Sequence, residues 1–236
     1  MRWRRVIMAH GVLCCAVLAC GVAAGADEKP PAPGEGFQLA YSEDFDRGLD
    51  HWEMTDPRAW GIVEDDGKPA LALKQNSKYR PPVRSPYSIA RPKGVEVEDF
   101  VLEVRMKSTT REYGHRDLCV FFGYQDPSHF YYVHLASAAD PHAHSVFLVN
   151  GADRVSIAKE RTEGVRWTDD YHTVRITRDT DTGRIEVFFD DMQKPVITAE
   201  DKTLVKGGIG LGSFDDTGVF ANLRVWTKSP EDAANK

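Results

Sequence analysis

The sequence predicts an all-β domain, a two-sheet antiparallel β-sandwich, on three observations. Apolar residues recur with period two, turn-forming residues punctuate these runs, and no long segment shows the 3.6-residue period of an amphipathic helix. Across 101–107, Leu102, Val104 and Met106 face one way while Glu103, Arg105 and Lys107 face the other. Across 172–177, Val174 and Ile176 oppose Thr173, Arg175 and Thr177; across 184–189, Ile185, Val187 and Phe189 oppose Arg184, Glu186 and Phe188. Across 219–226, Val219, Ala221, Leu223 and Val225 oppose Phe220, Asn222, Arg224 and Trp226. A period of two sends alternate side chains to opposite faces of a strand, so each segment has a core face and a polar face.

Two further runs, 118–124 and 129–135, are apolar or aromatic on both faces. They read as central strands, or as strands whose second face lines a groove. Gln125-Asp126-Pro127-Ser128 joins them as a turn, Asn150-Gly151-Ala152-Asp153 follows the run 145–149, and Asp179-Thr-Asp-Thr-Gly183 resembles a hairpin loop. Trp52, Trp60 and Trp226 fall among apolar residues and are expected in the core; Trp167, in a polar stretch, is expected to be exposed.

The first 26 residues read as a secretory signal peptide. Arg2, Arg4 and Arg5 open the chain, an apolar run covers 12–24, and Ala24-Gly25-Ala26 supplies a small-residue cleavage site before Asp27 and Glu28. Val17-Leu18-Ala19-Cys20 also reads as a lipoprotein box, in which case Cys20 would carry lipid and tether the protein to a membrane. Residues 27–36 hold three prolines and two glycines and read as a linker; 37–228 form the sandwich domain and 229–236 a polar tail. The expected location is outside the cytoplasm, secreted or periplasmic.

Charge and cysteine usage narrow the partners. The net charge is −6, and loss of the leader, which holds three arginines and no acid, takes it to −9. Nucleic acid and anionic lipid both require basic surfaces, so neither is expected as a partner. Cys14, Cys15 and Cys20 lie in the leader, which leaves Cys119 as the one cysteine of the mature chain. No internal disulfide can form, and Cys119, within an apolar run, reads as a packed core residue.

The residues 41–46 (Tyr-Ser-Glu-Asp-Phe-Asp), 60–67 (Trp-Gly-Ile-Val-Glu-Asp-Asp-Gly), 121–127 (Phe-Phe-Gly-Tyr-Gln-Asp-Pro), 130–134 (Phe-Tyr-Tyr-Val-His), 208–214 (Gly-Ile-Gly-Leu-Gly-Ser-Phe) and 220–226 (Phe-Ala-Asn-Leu-Arg-Val-Trp) follow one another in an order that resembles the concanavalin A-like lectin/glucanase superfamily, and within it exported laminin-G-like and 3-keto-disaccharide-hydrolase-like domains. The resemblance covers roughly residues 37–228. It implies a jelly roll of two curved sheets, adjacent first and last strands, and a ligand on the concave sheet or rim loops. The laminarinase-type Glu-x-Asp-x-x-Glu motif of that superfamily is absent: Glu96-Val-Glu98-Asp99 and Glu64-Asp-Asp66 have other spacings.

On this basis Glu103, Arg105, Asp117, Tyr132, His134 and His144 are the candidate ligand-binding residues, since carboxylate, guanidinium and imidazole groups would hydrogen-bond sugar hydroxyls while Tyr132 stacks on a sugar face. Against this stands a plain solvated sheet face with cross-strand ion pairs. His142 and His144 share a strand side if 142–144 is extended, a weak zinc reading. Asp44, Asp46, Asp215 and Asp216 lie near the two chain ends and together could hold a structural calcium ion. Three functions follow: a glycan-binding module; a glycoside hydrolase-like enzyme, for which Glu103, Asp117 and Glu186 are the carboxyls to test; and an envelope interaction domain without a small ligand. The missing glucanase motif puts binding first.

Overall fold

The computed structural model describes residues 33–228; the segment read as a signal peptide (1–26, with Cys14, Cys15 and Cys20), most of the stretch read as a linker (27–36) and that read as a polar tail (229–236) lie outside the described residues. Among the described residues two antiparallel sheets face one another. Sheet A holds nine strands: β1 (Phe37–Glu43), β3 (Trp60–Asp65), β4 (Lys68–Leu73), β7 (Phe100–Ser108), β12 (Ala158–Arg161), β13 (His172–Arg178), β14 (Arg184–Phe189), β15 (Ile197–Glu200) and β17 (Gly218–Lys228). Sheet B holds eight: β2 (Trp52–Met54), β5 (Ser88–Pro92), β6 (Glu96–Val97), β8 (Asp117–Asp126), β9 (His129–Ala136), β10 (Ser145–Asn150), β11 (Val155–Ser156) and β16 (Gly207–Ser213). The order in sheet A is β12-β15-β14-β13-β7-β17-β4-β3, with β1 also on β17, so the first and last strands pair. Sheet B runs β11-β10-β9-β8-β16-β5-β2, with β6 also on β16.

The alternation read from the sequence sets the layers. Leu102, Val104, Met106, Val174, Ile176, Ile185 and Val187 of sheet A meet Leu118, Val120, Phe122, Tyr131, Val133 and Leu135 of sheet B in one core. At about 1.5–3 kcal/mol for each large apolar side chain taken from water, this layer is the main stabiliser of a domain with no disulfide. Trp167 belongs to the same core, against expectation: it is buried and its indole N–H donates to the Leu135 carbonyl at 3.1 Å. The polar letters around it misled because the segment 162–171 folds back over the end of the sandwich, its backbone tied to Ala136 and Ala139.

Strand β17 departs from the simple alternation. Phe220, Leu223 and Val225 enter the core, while Val219 and Ala221 face outward with Ala70 and Ala72. Against β7 the register slips between Ala221 and Arg224, one residue extra on β17, and Asn222 sits at φ 50°. An inserted residue reverses which side chains face inward beyond it. Asparagine is among the few residues that tolerate the left-handed region such a bulge requires.

Candidate functional site

The six candidate residues divide between the two sheets. Glu103 and Arg105 lie on β7 in sheet A, whereas Asp117, Tyr132, His134 and His144 belong to β8, β9 and the approach to β10 in sheet B. Strand β7 and the next in sequence, β8, do not pair, because the chain crosses from one sheet to the other between Ser108 and Asp117. Glu103 and Arg105 on sheet A, and Asp117, Tyr132 and His134 on sheet B, point away from the shared core, so the outward faces of the two sheets carry these two groups to opposite sides of the molecule, whereas the His144 ring turns to Thr162. Glu103 is ion-paired with Arg175, 2.7 Å from its Nε, and the Arg105 guanidinium lies 4.5 Å over the Tyr171 ring. That face of sheet A carries cross-strand ion pairs and cation–π contacts of the solvated kind. Glu186 is on sheet A as well, beside Arg184, so the three carboxyls Glu103, Asp117 and Glu186 do not converge.

Asp117, Tyr132 and His134 of sheet B do come together. The outward face of β8, β9 and β10 is an aromatic ladder: Tyr124 stacks on Phe130, Phe121 on Tyr132, and Tyr132 on Phe147, with ring centroids 5.1–5.8 Å apart. Sheet pairing makes this possible, since Tyr132 is opposite both Phe121 and Phe147. On the neighbouring strand β16 the outward positions are Gly210 and Gly212, and the space left by their missing side chains is taken by Phe121 and the stem of Arg91. Val83 packs on the ladder, and the Arg154 guanidinium lies over Phe147 at 4.7 Å and Phe214 at 4.3 Å while donating to the Tyr132 hydroxyl at 2.6 Å. This half of the face is therefore roofed: Tyr132 and His134 are buried. His144 is buried too, and burial lowers its pKa to about 4; its Nε2 lies 3.0 Å from the Thr162 hydroxyl. His142 is exposed on a turn, so the two do not form a strand pair.

Asp117, at the start of β8, is the polar hub of the roofed half. Its Oδ2 accepts from the Ser213 hydroxyl and the Phe214 N–H, both at 3.2 Å, and the Cys119 thiol contributes a weak contact at 3.4 Å. Burial works against its charge, yet the His134 ring 3.3 Å away and these donors hold its carboxyl below the usual range. Asp216 accepts from the Tyr113 hydroxyl and the Asp117 N–H, each at 2.8 Å. Burial, then repulsion from Asp117, pushes Asp216 up to about 6; the same causes raise Asp215. The proposed partners of the latter two, Asp44 and Asp46, are elsewhere. Asp44 is held bidentately by Arg224, both contacts at 2.8 Å, and Asp46 stands beside Arg47. Pairing of Glu43 with Leu223 puts Asp44 midway along β17, whereas Asp215 and Asp216 precede its first residue. Adjacent strands brought the chain ends together but not these four carboxylates.

The open half of the face lies at the other end of β8. A groove of 570 Å³ is lined by Tyr79, Tyr124, Ile89, Arg91, Glu53 and Lys93 among others. The Arg91 guanidinium stacks 3.9 Å over the Tyr124 ring and its Nη2 donates to Glu53 at 2.7 Å. Lys93 is anchored on the Asp50 carbonyl at 2.8 Å. Tyr79 comes from the segment between β4 and β5, where Lys78 N–H donates to buried Asp56 at 2.9 Å. Sequence reasoning missed Arg91, Tyr79, Arg154 and Phe214. The alternating glycines of 208–212 were the available signal that bulky groups cross β16.

No family model matches the chain, and no curated protein matches it in sequence. Solved structures do match. The carbohydrate-binding module CBM66 from Bacillus subtilis is similar at TM-score 0.53 and 17% identity, over 76% of this chain and 96% of that one. Domain 4 of AbnA, a GH43 extracellular arabinanase from Geobacillus stearothermophilus solved with arabinotriose, is similar at TM-score 0.54 and 13% identity, over 85% of this chain and 98% of that one. A putative glycosyl hydrolase from Parabacteroides distasonis is similar at TM-score 0.51 and 16% identity, over 79% and 99%. At these identities the likeness is one of fold, and that fold is a two-sheet antiparallel β-sandwich.

Proposed function

We propose that the protein is an exported glycan-binding domain whose saccharide lies in the open groove on the outward face of sheet B. The observation that carries this is the pairing, in one groove, of aromatic surface from Tyr79 and Tyr124 with the charged hydrogen-bonding groups of Arg91, Glu53 and Lys93. Sugars present apolar C–H faces and rings of hydroxyls, and a site with few oriented polar groups on an apolar wall suits both. CBM66 and the arabinotriose-bound domain share the fold, which lends support without fixing the sugar. Hydrolysis needs two carboxyls about 5–9.5 Å apart across the bond to be cut. Among the described residues Glu53 is the one carboxylate lining the groove, and it is engaged by Arg91, so binding is the function this geometry suits.

A glycan array on the protein tests this, with Tyr79→Ala and Arg91→Ala as site variants and Arg105→Ala, on the opposite sheet, as control. The expected outcome is a retained glycan whose Kd rises about tenfold, worth about 1.4 kcal/mol, in each site variant and stays constant in Arg105→Ala. Retention that survives both site variants, or is lost in the control, removes the groove as the site.

A further inference from the structure

We infer that the saccharide taken by the groove on sheet B carries an anionic substituent, a carboxylate or a sulfate ester, and that Lys93 holds it; this rests on the groove being the saccharide site. In a chain of net charge −6, the groove is lined, among the described residues, by two cations, Arg91 and Lys93, and a single carboxylate, Glu53. The two cations differ in what they have left to give. Arg91 is committed: its Nη2 donates to Glu53 at 2.7 Å, and its guanidinium lies 3.9 Å over the Tyr124 ring. That ion pair offsets the one negative charge of the lining. Lys93 is exposed, and its ammonium donates to the Asp50 backbone carbonyl at 2.8 Å. No carboxylate among the described residues is ion-paired with it. A carbonyl takes one of the three N–H donors of an ammonium and carries no net charge, so a positive charge and further donors remain open.

The other open groups of the groove add donors. Tyr79 and Tyr124 line it, and neither hydroxyl has a hydrogen-bond partner among the described residues. Thr55 is already spent, since it donates to the Tyr87 carbonyl at 2.8 Å and accepts from the Ile89 N–H at 3.2 Å. The neighbouring carboxylates face other partners. Asp56 is buried and accepts from the Lys78 N–H at 2.9 Å and from Arg58 at 3.1 Å. Asp126 lies 2.9 Å from the His129 ring and accepts from the Ser128 N–H at 2.7 Å. The groove therefore offers donors and positive charge, while its one carboxylate is engaged by Arg91. A neutral sugar hydroxyl both donates and accepts, so that imbalance does not favour it. A carboxylate or a sulfate ester only accepts, and its hydrogen bonds from an ammonium are about twice as strong as those between neutral groups. One uncommitted ammonium matches one anionic group, whereas the phosphates of a nucleic acid would need a row of cations.

The test is a glycan array in which each backbone is present in neutral, uronate-bearing and sulfated forms, followed by calorimetry of the best-retained probe on the full chain. Anionic forms are expected to be retained over their neutral counterparts, and whichever of the uronate and sulfate arms is retained names the group. Lys93→Gln, an exposed change with unaltered Tm, raises Kd for that probe about tenfold, and Lys93→Arg stays near the parent value. Added NaCl weakens binding to the parent protein more than to Lys93→Gln, because screening acts on the charge that the variant lacks. Retention of neutral and anionic forms alike, lost in Tyr79→Ala but not in Lys93→Gln, overturns this inference and leaves the groove standing as the site. Anionic glycans held equally well by Lys93→Gln and Tyr79→Ala bind elsewhere and overturn both, as does retention of no glycan.

Discussion

Gly212 faces outward on β16, and a Cβ there would run into the Ser88 carbonyl and stand 3.1 Å from the Phe121 ring. The clash is with backbone, which cannot swing aside as a flexible side chain would. Gly212→Ala is expected to lower stability by about 1–3 kcal/mol, read as a fall in the urea midpoint at unchanged slope. A neutral result would mean that β5 and β16 are farther apart than described. His144 makes a second prediction at this scale. Burial, followed by the nearby positive charge of Arg161, lowers its pKa from 6.5 to about 4. Between these values the unfolded chain binds more protons than the folded one, so stability rises with pH through this window and is flat above it. Acidification from 6.5 toward 4 therefore destabilises, with a slope of at most about 1.4 kcal/mol per pH unit from this residue. His144→Gln should flatten the stability profile in that window, and an unaltered slope would assign it to other groups.

The strands were legible because their cause is local. Alternation in 184–189 gave β14 to the residue, and the other alternating runs were each recovered within two residues of their ends. The β8–β9 hairpin was legible as a unit too, which is why Asp117, Tyr132 and His134, grouped from the sequence, lie side by side. Sheet membership was not, because it depends on where the chain crosses between layers. Nothing in the letters 109–116 says that β7 pairs with β17 and β13 instead of β8, and so Glu103 and Arg105 were assigned to the wrong side. The groove was hidden for a related reason: it joins β2, β5, β8 and the segment before β5, which are far apart in sequence. The bulge in β17 is intermediate, since Asn222 is an atypical strand residue whose φ of 50° explains it only in retrospect. Asn222→Gly should be tolerated within a few tenths of a kcal/mol, whereas Asn222→Val, β-branched at positive φ, should cost about 1–2 kcal/mol. Equal costs in thermal denaturation would argue that the bulge moves to accommodate the side chain.

At the scale of the whole molecule, one core holds both sheets, and that governs how the sandwich comes apart. Leu102 of sheet A and Val133 of sheet B belong to a single buried layer, with Trp60 and Trp52, one on each sheet, at its margins. Neither sheet can shed its partner without exposing its own inner face to water, and at about 25 cal/mol per Å² that exposure far exceeds the net stability of a domain. The two layers should therefore unfold together despite the chain's length. Leu102→Ala removes apolar volume from sheet A alone and should cost about 2–5 kcal/mol. Because the loss is shared, the far-ultraviolet signal of all strands and the tryptophan fluorescence of both sheets should shift to the same lower midpoint in urea. If Leu102→Ala instead separates the two signals, the sheets are independently stable, and the roofed face of sheet B, with its own aromatic cluster of Phe121, Phe130, Tyr132 and Phe147, would be the part that holds sheet B together when sheet A is lost.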